Sequence, residues 1–498
     1  MSRNSVYLLS RYRLMGAYLG QILAVMAGVM LLPLAMYCFY PGEAQLAYPY
    51  LLSGFILAGS GLLLRFALCR VPLKALDFNE SSLVIFLTWA IMSVVGAIPY
   101  MMLSGMNFSH AVFDTVSGWT TTGLSLLNIP TAPPIILFYR AWAQFIGGAG
   151  FAVIMLSALT GVGAQQLYSA EGKGTLIQPN VLTSVRIVIT LYTGYFIAGT
   201  IAYLLAGMTP LDAVVYCFCA ISTGGFGNQV ANIGYFDSPM IEYISIILMI
   251  LGNLSFLTGY FLFKGKLKSV LRNGEVKVLA ASLLISVPLV FFLVTSHLFA
   301  SASKAFRVAA FESISAITTT GFFTVDYNHP LWREAGVFIL VLLQLIGGGT
   351  CSTAGGIKQY RVYMMYKTIL WHIKGSLRPG KAVVRNYIWE GDLKGYVSDA
   401  RLKGIAAFVF LYLVLYVIGV CVIAFSINPA TQANYGLKDS MFEFASALGT
   451  VGLSIGVTTT AAPLHVIWVE TLGMLLGRLE IFVVIFALAK PVKDFFRL

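Results

Sequence analysis

Ten stretches of about 20 predominantly apolar residues, beginning near Met15, Tyr48, Ser81, Ile136, Val185, Met240, Val278, Glu334, Lys403 and Leu464, divide this chain of 498 residues. A helix needs roughly 20 such residues to cross the hydrocarbon core of a bilayer. The pattern therefore predicts an all-α polytopic membrane protein. Composition supports this: 58% of residues are hydrophobic and only 10% are charged, against about 25% charged in soluble domains. The net charge of +12 lies in short clusters between apolar runs rather than on one basic face, which argues against a nucleic-acid partner. Cys38, Cys69, Cys217, Cys219, Cys351 and Cys421 have neither CxxC spacing nor disulfide density and read as packing thiols. The first run, 15–40, is too long for a signal-peptide core and reads as a retained membrane helix.

Between the third and fourth runs, and again within each later pair, lies a half-length apolar stretch ending in Gly, Thr and Ser, too short to span. These read as re-entrant hairpins. Of the 32 Lys and Arg, all but Arg140, Lys304, Arg307, Arg333, Lys438 and the intramembrane Arg478 fall on one side if the runs alternate across the bilayer. The positive-inside bias then puts both termini in the cytoplasm, with every hairpin entering from outside.

The hairpins are copies of one another. Segments 113–124, 215–226, 311–322 and 442–453 each end in Gly plus a large apolar residue. Five positions before that Gly is a small residue (Gly118, Ala220, Ala316, Ala447), and nine before it an acid in three copies (Asp114, Glu312, Glu443) and Tyr216 in the other. The terminal glycines Gly123, Gly225, Gly321 and Gly452 recur after 102, 96 and 131 residues, the last interval lengthened by a basic segment, 361–403. Two spans per copy keep all copies parallel, which excludes inverted repeats. The expected architecture is four tandem parallel M1-P-M2 pore units around a pseudo-fourfold axis, after two N-terminal transmembrane helices. Expected boundaries are 1–78 for the two-helix domain and 79–165, 166–270, 271–400 and 401–498 for the four pore repeats.

Irregular backbone at membrane depth must be buried in protein or line an aqueous cavity, so four hairpins around an axis suggest a pore. Rings of backbone carbonyls replacing an ion's hydration shell come from loops of Thr-Val-Gly-Tyr-Gly character. Here the corresponding strings are Thr121-Thr122-Gly123, Thr223-Gly224-Gly225, Thr319-Thr320-Gly321 and Thr450-Val451-Gly452. The short helices before them would aim their partial negative charge at a cation. For the three acids, entrance charge and buried hydrogen bonding are the two readings, the second being favoured. After each hairpin, Gly147, Gly252, Gly347 and Gly477 follow the terminal glycine by 24, 27, 26 and 25 residues and should stack at one depth below it.

In the third copy the glycines continue as Gly347-Gly348-Gly349-Thr350-Cys351-Ser352-Thr353-Ala354-Gly355-Gly356. Glycine costs a helix about 1 kcal/mol relative to alanine, so this run reads as an intramembrane loop under the filter, a candidate gate, with a small-residue packing face as the other reading. Arg478 lies deep in a span, two residues from Glu480. It reads either as a pore-lining barrier to cations or as a partner of Glu480 or a helix end.

At these residues the chain resembles the membrane subunits of bacterial Trk potassium-uptake systems, the TrkH and TrkG type within the Trk/Ktr/HKT superfamily, from Ser81 to the end. The two leading spans resemble the Trk branch. The resemblance implies K+ as the transported ion, filter glycines at Gly123, Gly225, Gly321 and Gly452, a gating loop at 347–356 and a pore-blocking Arg478. It also implies a homodimer on a cytosolic ring of TrkA-like nucleotide-binding subunits, in the bacterial inner membrane. The basic clusters at 264–277 and 361–403 suit such a partner or anionic membrane lipid. Gly224 and the Gly449-Thr450-Val451 string depart from the threonine pattern. The competing expectations are an ion-coupled potassium symporter and, from another class, an intramembrane enzyme. Against the enzyme, His110, His297, His329, His372 and His465 form no HExxH or paired-carboxylate motif.

Overall fold

A computed structural model describes residues 3–68, 76–150, 181–327, 329, 332, 334–377, 386–390 and 393–496. The expected boundary at 165/166, Cys69 and the basic residues Arg70, Lys74, Lys173, Arg333, Arg378, Lys381, Arg385 and Arg497 lie outside them. Among the described residues six helices are long and apolar enough to cross a membrane, and two further bent pairs are each consistent with one span. Apart from one short hairpin, Tyr387–Glu390 with Leu393–Tyr396, regular structure is helical.

The chain opens with two long helices, Arg3–Leu31 and Tyr48–Ala67, packed at Gly20 and Gly61. A Cβ on Gly20 would sit 2.8 Å from the Gly61 carbonyl oxygen, and one on Gly61 would sit 2.7 Å from the Ala24 nitrogen. Small residues permit this close approach where lipid offers no hydrophobic drive for helix association. At one end of this pair, Arg11 donates to both carboxylate oxygens of Glu80, and Lys490 bridges Glu80 (3.8 Å) and Asp494 (2.8 Å). This network ties the first helix to the start of Phe78–Val95 and to the last helix, Ile481–Phe495.

The four half-length stretches are short helices: Phe108–Trp119, Pro210–Ile221, Ala302–Ile317 and Leu437–Gly449. The helix following each one packs against it and also against the next short helix round, and Leu464–Leu479 of the fourth copy returns to Phe108–Trp119 of the first. The four copies thus close on themselves.

The runs after the hairpins are not straight spans. Pro239–Asn253 bends by 116° into Phe256–Phe263, and Leu464–Leu479 by 99° into Ile481–Phe495. Glu334–Ile346 ends at the glycine run, and Pro134–Ala149 ends at Gly150 with φ +75. Each break falls within about two turns of the aligned glycines Gly147, Gly252, Gly347 and Gly477, where the helix backbone is least stable. Sequence hydropathy sees through such breaks because apolar residues resume beyond them.

Gly61→Val should separate the leading helix pair. Overpacking of this kind costs roughly 1–3 kcal/mol, so a lower thermal midpoint of the purified protein is expected. The four-copy ring, which does not contact Gly61, should keep its helical content in circular dichroism below that midpoint.

Candidate functional site

Each short helix ends in the same way. Thr121, Thr223, Thr319 and Thr450 have φ of 57°, 51°, 52° and 50°. Their N–H groups donate three residues back, to Gly118, Ala220, Ala316 and Ala447, at 3.2 to 3.3 Å. The next residues, Thr122, Gly224, Thr320 and Val451, donate five back, to Ser117, Cys219, Ser315 and Ser446, at 2.8 to 3.0 Å. This is a Schellman termination with threonine where glycine usually stands. A β-branched residue at positive φ is a strained outlier, and four at equivalent positions mark a functional constraint.

Two residues on, Gly123, Gly225, Gly321 and Gly452 have φ of 99°, 80°, 81° and 93°. A Cβ on Gly123 would strike the carbonyl of Gly224, one on Gly225 that of Thr320, one on Gly321 that of Val451, and one on Gly452 that of Thr122. Each glycine therefore abuts the next copy's backbone, and the fourth abuts the first. Below them, a Cβ on Gly147, Gly252 or Gly477 would meet the carbonyl of Trp119, Ile221 or Leu448, the last turn of the short helix in the same copy. Gly347 instead lies against Gly355 and Gly356, because its helix has already opened into the loop.

The acids nine residues before the glycines are fully buried. Asp114 accepts from the Ser125 hydroxyl (2.5 Å) and the Leu126 N–H (2.8 Å). Glu312 accepts from the Thr324 N–H (2.9 Å) and hydroxyl (2.7 Å) and from Tyr327. Glu443 accepts from the Ser454 hydroxyl (2.7 Å) and the N–H groups of Ile455 and Thr458 (both 3.0 Å). They fix the chain leaving the ring rather than facing an entrance. Above the ring lies a cavity of about 530 Å³, lined by Gly123, Gly225, Gly452, Arg140, Asn232 and Thr458 among others. On exposed chain, the Lys304 ammonium 2.8 Å from Asp237 holds that carboxyl below its usual range.

The run 347–356 is non-helical, as its composition predicts, and its polar backbone is satisfied by neighbours. Gly349 N–H donates to the Asn253 carbonyl (3.1 Å), Thr350 N–H to the buried Glu275 (2.7 Å), and Gly355 N–H to the Thr319 hydroxyl (2.8 Å). Thr353 Oγ1 lies 2.9 Å from the Gly252 carbonyl and 3.1 Å from that of Ile221, and it accepts from the Thr223 hydroxyl at 3.0 Å. The loop therefore touches the underside of the ring. The hydroxyls of Thr121 and Thr450 have no hydrogen-bond partner among the described residues. Arg478 donates to the carbonyls of Thr353, Gly147 and Gly148, joining the loop to the first copy's broken helix. The carboxylate of Glu480 is bound by Arg361 at 2.7 Å.

Three contributors escape sequence reasoning. Gln144 donates to the Gly224 carbonyl and accepts from the Phe226 N–H at 3.2 Å. A side chain at position 224 would collide with it, which accounts for the departure from threonine there. Asn232 donates to the Gly225 carbonyl at 3.0 Å. Lys358, with φ +82, donates to the Ala354 carbonyl inside the loop. For Gln144 the signal is its place three residues before Gly147, repeated by Gln344 before Gly347; Asn232 opens a 3-10 turn and Lys358 lies in irregular backbone, neither with a repeating counterpart.

A family model described as TrkH, cation transport protein, matches residues 54–497. The Trk system potassium uptake protein TrkH of Vibrio parahaemolyticus is 29% identical over 492 residues, 94% of this chain and 96% of that one. TrkH of Escherichia coli is 28% identical over 491 residues, 95% of this chain and 97% of its own. An uncharacterized cation transporter of Methanocaldococcus jannaschii is 29% identical over 472 residues, 93% and 92% of the two chains. The crystal structure of the potassium transporter TrkH from Vibrio parahaemolyticus matches the fold with a TM-score of 0.80 at 24% identity, over 95% of this chain and 98% of that one. The chain is an integral membrane protein and belongs to the TrkH family of cation transport proteins.

Proposed function

We propose that this chain is the potassium-conducting membrane subunit of a Trk-type uptake system, four M1-P-M2 units around one pore. The observation that carries this reading is the cyclic approach of Gly123, Gly225, Gly321 and Gly452, each without room for a side chain against the next copy. With carbonyls of the four strings turned to a common axis, Thr121, Thr122, Thr223, Gly224, Thr319, Thr320, Thr450, Val451 and the four glycines line an ion path. There carbonyl oxygens replace the hydration shell of K+. Short helices ending at the ring contribute negative dipole ends, and no covalent chemistry is needed.

The loop 347–356 is the gate and Arg478 its latch. In support, Arg478 and Thr353 hold the loop beneath the ring through hydrogen bonds that opening must break. A guanidinium just inside the filter also opposes a cation. The Lys and Arg distribution supports both termini in the cytoplasm of an inner membrane. The names of the relatives support membership of a Trk system, and by that likeness a homodimer on a TrkA-like nucleotide-binding ring reading the basic inner face.

In a host lacking its own potassium uptake, the wild type should restore growth at low potassium and take up rubidium. At equal membrane abundance, Gly123→Ser and Gly452→Ser should lose at least about tenfold of that uptake or of its preference over sodium, a shift of about 1.4 kcal/mol. Gly28→Ala, where a Cβ meets open space, serves as the control. Equal behaviour of the glycine variants and the control would remove the filter assignment, and uptake that follows an imposed proton gradient at fixed voltage would favour symport.

Removing one charge-assisted hydrogen bond costs roughly 1.5–3 kcal/mol. Arg478→Ala and Thr353→Ala should therefore raise partner-independent rubidium flux, Arg478→Ala by about tenfold or more and Thr353→Ala by less. Unchanged flux from folded protein would deny the loop its gating role.

A further inference from the structure

The first and fourth copies match almost atom for atom at the outer mouth, except in one charge. Asp114 and Glu443 both stand nine residues before their glycines, and both accept from a serine two residues after them, Ser125 and Ser454. Both also accept from the N–H twelve residues on, that of Leu126 or Ile455. In the helix that follows, the position seven before the aligned glycine is Arg140 in the first copy and Glu470 in the fourth. Arg140 is buried, lies 3.4 Å from the Ser125 hydroxyl and 3.1 Å from the Gly227 carbonyl, and covers the Phe226 ring at 4.1 Å. The first copy thus sets a guanidinium beside its buried acid.

The fourth copy sets a second acid there instead. Glu470 is 0% exposed. Its Oε2 accepts from the Thr458 hydroxyl at 3.0 Å, while the Thr458 N–H donates to Glu443. Its Oε1 is buried with no hydrogen-bond partner among the described residues. Tyr435 is the other titratable group within electrostatic reach of both carboxyls, and neither has a basic partner among the described residues. Two buried carboxylates sharing one threonine, with no counter-charge among the described residues, are untenable as a pair of anions.

We infer that the fourth copy binds one exchangeable monovalent cation, a proton or an alkali ion, between Glu470 and Glu443, in the position where the first copy carries the built-in charge of Arg140. Thr458 and Ser454 line the outer cavity beside Gly452, so the site exchanges with the outside and reports external ions to the segment that shapes the ring. This deepens the proposed function, but its test needs no transport.

The purified protein is unfolded thermally in choline chloride, first across pH without alkali ions and then with sodium or potassium chloride added at fixed pH. The wild-type midpoint should shift by several degrees in one series, and E470Q should lose most of that shift. A shift with pH alone names the proton as ligand, and one with salt at fixed pH names the alkali ion; potassium held elsewhere in the pore moves both proteins alike. Infrared spectra of the wild type give a second reading should E470Q fail to fold: a buried carboxylic-acid band that exchanges with external pH supports the proton, and one displaced by alkali salt supports the metal. E470Q that tracks the wild type in both series, or a wild type with neither thermal dependence nor such a band, overturns the site.

Discussion

The approach of four glycines to four neighbouring carbonyls fixes most of this structure. Each contact leaves no room for a Cβ, so the copies can meet only if all four positions are glycine and all four chains turn at the same depth. That depth is set one turn earlier, where Gly147, Gly252 and Gly477 admit the carbonyls that end the short helices. Flanking helices then need only be apolar and long enough to hold the ring in lipid.

The strain at the ring follows from the same geometry. Threonine at positive φ costs of order 1–3 kcal/mol, and the chain bears it four times where glycine would relieve it. What threonine adds is a hydroxyl. Thr223 donates its hydroxyl to the loop below and Thr319 accepts from it, whereas those of Thr121 and Thr450 have no partner among the described residues. The ring is therefore fourfold in backbone but not in side-chain bonding, where the second and third copies hold the loop and the first and fourth do not.

Much of this is legible in the sequence because it repeats. Four copies in register reveal the short helices, the terminal glycines and the glycines below them, and the uninterrupted run 347–356 betrays a loop by composition alone. Legibility ends where a contact is made by one copy only. Gln144 holds the Gly224 carbonyl while its counterpart Gln344 makes no side-chain hydrogen bond among the described residues, and the breaks at Gly150, Leu254 and Glu480 are hidden because hydropathy averages across a bend. The acids resolve as hydrogen-bond acceptors only once the serines and threonines eleven or twelve residues on are brought back to them.

Joining the four copies in one chain frees each to differ, and the differences are distributed along a mechanical path. Among the described residues the third copy alone opens into a loop; the fourth supplies Arg478 to hold it and Glu480 to bind Arg361 beyond it; the first supplies the carbonyls of Gly147 and Gly148 that Arg478 also binds. Arg361 also stacks 3.7 Å over the Phe408 ring of the helix that begins the fourth copy. The fourth copy's bent helix thus holds the loop and its continuation at two positions, Arg478 in the last turn before the bend and Glu480 at the bend itself. Gln359–Ser376, through Arg361, and Ile481–Phe495, through Glu480, both meet at that bend. A homotetramer of one such unit would repeat these contacts at every seam, whereas among the described residues this chain makes them at one.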